Sequence, residues 1–260
     1  MKQVMYGTVS ALALVLALSG AAKAHDHDYH STNLAAIASA ETGSWVAGND
    51  ASYTAVLGDN EIDGNAFSGA TGAFNVGQNT SVNSAVQQSM AIAAVVNAPD
   101  SSDTTKDGAN ELGLAVADGD MFIGCNDACL MALGGSNEIE GGAFKNAIGA
   151  FQVLQSRSVN SGVSQAMAIG AVVNKDNDRD ASPFGNQVAL AASSLNAGVI
   201  GNTAGGTISL PDVFETANTN SITNGSFQNA TGAFNVLQNA SLNSSVQQGM
   251  AIGAVVNTAH

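Results

Sequence analysis

The alternation of apolar and polar positions is the dominant pattern along this chain. In residues 81–97, Val82, Val86 and Ile92 occupy one set of alternate positions, and mostly Asn, Ala, Gln and Ser occupy the other. A period of two predicts a β-strand, because successive side chains of a strand point to opposite faces. The preceding segment alternates in the same way, and polar residues 78–81 separate the two. The pattern therefore predicts a strand, a turn and a longer strand, which together form a β-arch.

A helix is the alternative interpretation of these residues. Val82, Val86 and Met90 are also four residues apart, and alanine-rich stretches tolerate a helix. Frequent Asn, Ser and Val, together with Gly249 and Gly253 in a matching segment farther along, disfavour it. We therefore expect strands.

The β-arch occurs three times as an imperfect repeat of 36 residues. The copies are residues 62–97, 139–174 and 222–257, and the first and third are identical at 24 of 36 positions. They start 77 and then 83 residues apart. Such repetition predicts units that stack on one another, and three units are about the minimum for a stable stack. The expected fold class is all-β, with β-arch layers stacked as a short β-solenoid or Greek-key-like column.

The segments outside the repeats complete the domain plan. We separate a signal peptide (1–24), an N-terminal polar segment (25–61), a first linker with two cysteines (98–138), a second linker (175–221) and a C-terminal tail (258–260). The polar start of the first linker is typical of flexible connectors. Other parts of both linkers are apolar, and we expect them to form extra strands: residues 112–116, 121–123, 188–192 and 199–200.

Residues that recur at matched places in the three copies predict columns along the stack. Asn and Gln amides can donate to one neighbour and accept from the next, and apolar side chains can stack likewise. The expected self-assembly ladders are Phe74, Phe151 and Phe234; Gln78, Gln155 and Gln238; Asn83, Asn160 and Asn243; Gln88, Gln165 and Gln248; Ile92, Ile169 and Ile252; and Asn97, Asn174 and Asn257. Gly72, Gly149 and Gly232 are expected to supply a bend without a Cβ that would clash between layers.

Charge is nearly absent from the repeats, although the whole chain has a net charge of −14. The three copies carry −1, +1 and 0, so the acidic residues are concentrated in the other segments. Stacked strands place like residues about 4.8 Å apart, where like charges repel, so uncharged repeats suit a stack. The overall acidity argues against a nucleic-acid partner, which would need a basic surface.

The first residues predict export. Lys2 precedes an apolar run from Val9 to Leu18 and a small-residue stretch that ends at Ala24, which is the plan of a secretory signal peptide. The run is shorter than the roughly 20 residues of a membrane helix, and an uncleaved anchor is the alternative. The mature chain is expected to begin at His25 without a transmembrane segment. Its net charge is −16, because cleavage removes two lysines and no acid.

Few residues point to other chemistry. Cys125 and Cys129 would form a small disulfide loop in an oxidising compartment. A free amino terminus with His25 and His27 can bind Cu(II) or Ni(II) adventitiously, and a polar tail without metal is the alternative interpretation. The sequence has no Ser/His/Asp set, P-loop or G-x-S-x-G motif, and its histidines lie near the two ends of the mature chain. We therefore expect neither an enzyme nor a bound cofactor.

The repeats resemble those of the Fap functional amyloids of bacterial biofilms. The resemblance rests on the pattern Asn-Ala-Thr-Gly-x-x-x-Val at 229–236, followed by Asn-x-x-x-Gln-x-x-x-Ala-Ile at 243–252, and on the layout of a signal peptide, three repeats and two linkers. Subunits of that family have a Cys-x-x-Cys near the C-terminus, whereas the cysteine pair here is mid-chain with three intervening residues. The resemblance implies a subunit or nucleator of cross-β fibrils that adheres at the cell surface. It also implies passage through the periplasm, with periplasmic chaperones and an outer-membrane secretion pore as partners.

Two functions follow from the sequence. The first is a secreted structural protein that assembles with copies of itself in an extracellular matrix. The second is a monomeric cell-surface β-solenoid that binds a ligand such as a glycan, haem or a metal.

Overall fold

The computed structural model of the protein describes residues 33–97, 110–176, 187–205 and 218–259. In these ranges the chain forms fourteen β-strands and no helix, so the predicted all-β class is confirmed. Among these residues there is accordingly no helix that could span a lipid bilayer.

The strands form three layers, one for each copy of the repeat. Layer 1 contains β1 (Asn33–Ala47), β2 (Asp50–Leu57), β3 (Asn60–Ile62), β4 (Thr71–Asn79) and β5 (Ala85–Asn97). Layer 2 contains β6 (Asn110–Gly124), β7 (Asp127–Ile139), β8 (Ile148–Ser156) and β9 (Gly162–Asp176). Layer 3 contains β10 (Gln187–Ile200), β11 (Thr203–Gly205), β12 (Asn218–Ile222), β13 (Thr231–Asn239) and β14 (Ser245–Ala259).

The layers are joined by parallel pairing in register, with layer 2 in the middle of each sheet. Partners in layers 1 and 2 are 77 residues apart, as in the pairs Asn33–Asn110 and Asn97–Asn174, except at an irregularity of β2 around Thr54. Partners in layers 2 and 3 are 76 residues apart in β10 and 83 apart in β14. The extra residues of layer 3 lie between β11 and β12, where the offset changes. Matching residues of the repeats therefore stack directly over one another.

Within each layer the chain turns back on itself, so that the first half of the last strand lies between the first strand and the preceding one. In layer 2, Ala166 and Ala168 of β9 pack against Ala115 and Ala117 of β6 on one side of the strand. On its other side, Val163 packs against Leu154 of β8. The first half of β9 is thus enclosed between β6 and β8, whereas the second half of the last strand in layers 1 and 3 has an exposed face, as at Ile92 and Val256.

Alanine and glycine are frequent where the last strands of the layers pack against the first strands of the same and the adjacent layer. A Cβ atom on Gly170 would lie 2.2 Å from the carbonyl oxygen of Leu190, and one on Gly113 would lie 2.7 Å from that of Ala171. Glycine at these positions lets the two backbones approach closely. The small residues of this interface therefore set the spacing of the two sheets.

The structural unit is longer than the 36-residue repeat. The apolar stretches of the two linkers are strands, as predicted, and lie within β6 and β10. The segment assigned as a polar N-terminal segment, 25–61, also contributes β1, β2 and most of β3. These strands were not recognised because their inward positions hold mainly alanine, as in Ala36, Ala38 and Ala40, which gives little hydrophobic contrast.

Candidate self-assembly surface

Two of the predicted glutamine columns are continuous hydrogen-bonded ladders. Gln155 Nε2 donates to Gln78 Oε1 at 2.7 Å, and Gln238 Nε2 donates to Gln155 Oε1 at 2.7 Å. The amides of this column also bond main-chain carbonyls of the facing strand, as Gln155 Nε2 does with Asn60 O at 2.9 Å. The column thus joins the three layers and also ties β4, β8 and β13 to the strands opposite.

The second glutamine ladder runs in the opposite direction. Gln88 Nε2 donates to Gln165 Oε1 at 3.1 Å, and Gln165 Nε2 donates to Gln248 Oε1 at 3.2 Å. Gln165 Nε2 also donates to Val153 O at 3.0 Å. This ladder therefore links the innermost strand of each layer to its neighbour.

The asparagines behave differently from the prediction. Asn83, Asn160 and Asn243 have φ values of 49°, 51° and 49°, so each occupies a left-handed turn position that asparagine tolerates. The amide of Asn160 donates to the main-chain oxygen of Thr203 at 2.8 Å, and that of Asn83 donates to Asp127 O at 3.3 Å. The expected amide ladder is therefore wrong for this column, because the left-handed turn directs the amides to a neighbouring corner.

Asparagine ladders occur at two places that the sequence analysis missed. Asn60 Nδ2 donates to Asn137 Oδ1 at 2.9 Å, and Asn137 Nδ2 donates to Asn220 Oδ1 at 2.8 Å. At the corner after the first strand, Asn49 Nδ2 donates to Asn126 Oδ1 at 3.2 Å. Both columns can be found by comparing the segments outside the repeats with one another at the 77-residue offset of the first two repeats, because these asparagines are also 77 residues apart.

Phenylalanines form two parallel stacks in the largest apolar cluster. Phe74, Phe151 and Phe234 stack as predicted, with ring centroids 5.0 and 4.9 Å apart. A second stack, of Phe67, Phe144 and Phe227, has centroid distances of 5.0 and 5.0 Å and was not predicted. The two stacks meet edge to face, as between Phe144 and Phe151 at 5.6 Å. Such offset aromatic contacts stabilise a core beyond their burial of area.

The remaining predicted columns differ in their surroundings. Ile92, Ile169 and Ile252 are register partners, but Ile92 and Ile252 are 39% and 36% exposed on an outer sheet face. The asparagines at the ends of the last strands are also register partners, while their side chains lie outside the described residues: Asn97, Asn174 and Asn257.

The other sequence-predicted sites are separate from these columns. Cys125 is exposed at the corner between β6 and β7, and the side chain of Cys129 lies outside the described residues, so their disulfide stays a prediction. The signal peptide, His25 and His27 also lie outside the described residues.

At both ends of the stack, the strands of the end layer pair on their outer side with no other strand of the described chain. In three of the four sheets, a strand of layer 1 and a strand of layer 3 are the outermost strands of the described chain. Burial follows this order, because Phe151, Gln155 and Gln165 of layer 2 have no exposed surface, whereas their counterparts in layers 1 and 3 are partly exposed. We call these outer surfaces the layer 1 end and the layer 3 end.

The buried glutamine of the central layer should contribute more to stability than its counterpart at the end. Gln155→Met keeps the volume but leaves Gln78 Oε1 and Gln238 Nε2 without their ladder partner, so we expect a loss of about 2–3 kcal/mol in the free energy of unfolding. Gln78→Met, which removes one ladder bond at a half-buried position, should cost about 1 kcal/mol. Urea unfolding of the two variants measures both, and equal losses would contradict a ladder in which the central amide has partners on both sides.

No family model matches this chain, and no curated protein or solved structure shows significant similarity to it.

Proposed function

We propose that this protein is a secreted structural subunit that assembles with copies of itself into cross-β fibrils. The observation that carries the proposal is that, among the described residues, the in-register stack ends in strands of layers 1 and 3 that pair with no strand on their outer side. Such edges accept further strands unless charge, proline or a covering segment blocks them. A second copy that stacks on either end would continue the pairing that already joins the layers.

The glutamine ladders support this assembly because their two ends are complementary. At the layer 3 end the ladders terminate in Gln238 Oε1, an acceptor, and Gln248 Nε2, a donor. At the layer 1 end they terminate in Gln78 Nε2, a donor, and Gln88 Oε1, an acceptor. Stacking layer 3 of one copy on layer 1 of the next places each donor beside an acceptor.

The sequence match also supports stacking between copies of the chain. The repeats of layers 1 and 3, which do not touch within one copy, are identical at 24 of 36 positions. Their contact would bring Phe234 onto Phe74 and Gln238 onto Gln78. Extracellular display, adhesion and passage through a secretion pore are the setting that the predicted signal peptide and the family resemblance suggest for such a fibril.

Seeded growth of the mature chain, residues 25–260, tests the proposal. We expect thioflavin-positive fibrils whose growth is accelerated by fibril fragments and whose diffraction shows a reflection near 4.7 Å, the spacing of paired strands. Light scattering should show loss of the monomer in parallel. A chain that stays monomeric for days at high concentration would contradict the proposal and would favour the alternative, a monomeric surface solenoid that binds a ligand.

A further inference from the structure

The charges of the described residues are divided unequally among the three layers. Layer 1 carries five carboxylates and no basic side chain, whereas layer 3 carries no charged side chain at all in its described residues. Layer 2 contains both signs and lies between them. The two ends of the stack therefore differ in charge, although their repeats are closely similar in sequence.

The acids of layer 1 stand in columns that end in a hydroxyl residue at layer 3. Register partners in layers 1 and 2 are both acidic in three such columns, and the partner in layer 3 is serine or threonine: Glu41, Asp118 and Ser194; Asp50, Asp127 and Thr203; Glu61, Glu138 and Ser221. A fourth column has Asp63 and Glu140, whose carboxylate oxygens lie within 4.8 Å of one another, followed by Thr223.

Hydroxyl groups are suitable neighbours for these carboxylates in the stack. The Ser136 hydroxyl of layer 2 donates to Asp59 Oδ1 of layer 1 at 2.9 Å, and the Ser136 backbone N–H donates to the same oxygen at 2.7 Å. The Thr203 hydroxyl of layer 3 donates to the carboxylate of Asp127. Carboxylates therefore already accept hydrogen bonds from hydroxyl groups of the adjacent layer, both between layers 1 and 2 and between layers 2 and 3.

We infer that copies of this chain join head to tail, with layer 3 of one copy on layer 1 of the next, and that Ser194, Ser221 and Thr223 select this polarity. The inference rests on the proposed function. In this arrangement each acidic residue of these columns in layer 1 meets a hydroxyl of the preceding copy, so carboxylate pairs are separated by a neutral residue along the fibril. Contact between two layer 1 ends would instead oppose five carboxylates with five, and would also reverse the strand direction.

A double-substitution experiment tests this polarity because layers 1 and 3 do not pair within one copy. The layer 3 acid variant is Ser194→Asp, Ser221→Glu and Thr223→Glu, which fills three columns with carboxylates. The layer 1 hydroxyl variant is Glu41→Ser, Glu61→Ser and Asp63→Thr, and the combined variant carries all six changes. Within one copy the two sets lie in layers that do not pair, so coupling in the elongation rate that exceeds any coupling in the free energy of unfolding of the soluble chains arises between copies.

Seeded homotypic elongation, each variant on its own seeds, gives the readout. At about 20 mM salt we expect the layer 3 acid variant to elongate at least about ten-fold more slowly than the unchanged chain, and salt near 0.5 M to remove most of the difference by screening. The combined variant should return to within about three-fold of the unchanged chain, because acid again meets hydroxyl at the copy boundary.

A matched control adds the same charge to layer 3 without completing an acid column. Ala192→Asp, Asn229→Asp and Thr231→Glu lie at exposed positions whose partners in layers 1 and 2 are uncharged, and we expect them to slow elongation by less than about three-fold. A combined variant as slow as the layer 3 acid variant would overturn the inference while fibril formation itself stood. If the unchanged chain forms no fibrils, the proposed function fails instead. Should the triple variant not fold, Ser221→Glu with and without Glu61→Ser makes the same comparison in one column.

Discussion

Gly149→Ala should unfold the stack, with an expected loss of at least about 4 kcal/mol in the free energy of unfolding. Gly149 has φ of +140°, a conformation that costs other residues about 1–3 kcal/mol. Its added Cβ would also lie 1.9 Å from the carbonyl oxygen of Gly72 in the neighbouring layer. Backbone cannot move aside there without separating β4 from β8, so the strain and the clash act together.

Gly72→Ala is the matched control for this effect. Gly72 has a similar φ of +133°, but among the described residues its Cβ would meet only the ring of Phe74, at an ordinary 3.6 Å, because Gly72 lies in the end layer. The free energy of unfolding of this variant should fall only by the conformational cost, about 1–3 kcal/mol. Urea unfolding separates the two variants, and equal destabilisation would show that the clash between layers contributes nothing.

The same control bears on assembly between copies. In the proposed fibril the methyl group that Gly72→Ala introduces would point at Gly232 of the preceding copy, just as a Cβ on Gly149 points at Gly72 within one copy. Gly72→Ala should therefore yield a folded monomer that does not elongate on its own seeds. A variant that folds and elongates at the unchanged rate would contradict stacking of layer 3 on layer 1 in this register.

The glycine column illustrates what the sequence predicts well in this fold. Recurrence of Gly72, Gly149 and Gly232 at the repeat offsets predicted positions where a side chain would block stacking, and their positive φ values and close contacts confirm it. Recurrence identifies such columns because register makes matched residues neighbours. Recurrence is easiest to recognise for residues that differ chemically from the many small residues of this chain, such as glycine, phenylalanine and glutamine.

The sequence analysis missed features whose recurring residues do not by themselves indicate a structure. The first strand of layer 1, β1, has alanine at its inward positions Ala36, Ala38 and Ala40, so it lacked the apolar alternation that marked the repeats. The Asn83 column recurs in full, yet its residues serve a left-handed turn and do not form an amide ladder. One-dimensional matching locates a column, but backbone conformation decides which hydrogen bonds its side chains can make.

Arg157 breaks the uncharged pattern of the repeats inside the central layer. Its side chain has no exposed surface, and its Nε, Nη1 and Nη2 atoms have no hydrogen-bond partner among the described residues. Burial lowers the pKa of Arg157, and the nearby Asp59 carboxylate opposes that shift. Nη1 occupies space next to Gly135, where a Cβ would lie 2.6 Å from it. A buried cation with this environment carries a desolvation penalty that the exposed Asp59 only partly offsets.

Asp59 makes the stability of the region around Arg157 depend on pH. Hydrogen bonds from Ser136, and to a lesser degree the charge of Arg157, lower the pKa of Asp59 below its ordinary value. A carboxylate with a lowered folded-state pKa stabilises the fold above its unfolded-state pKa of about 4, and this contribution is lost as the pH falls through the folded value. Acidification should therefore weaken the contact that faces Arg157 while the cation stays buried.

Arg157→Thr should consequently stabilise the protein, by about 1–4 kcal/mol in the free energy of unfolding at neutral pH. Threonine already occupies the corresponding place in layer 1, at Thr80, so the column accommodates it. Asp59→Asn is the opposing control, since it leaves the buried cation without a facing charge and should destabilise the fold. Urea unfolding at pH 7 and at a pH below the folded-state pKa of Asp59 measures both, and the gain from Arg157→Thr should be larger at the lower pH, because the carboxylate that partly offsets the cation is then lost. A loss of stability in Arg157→Thr at both pH values would show that the guanidinium has stabilising partners that outweigh its desolvation.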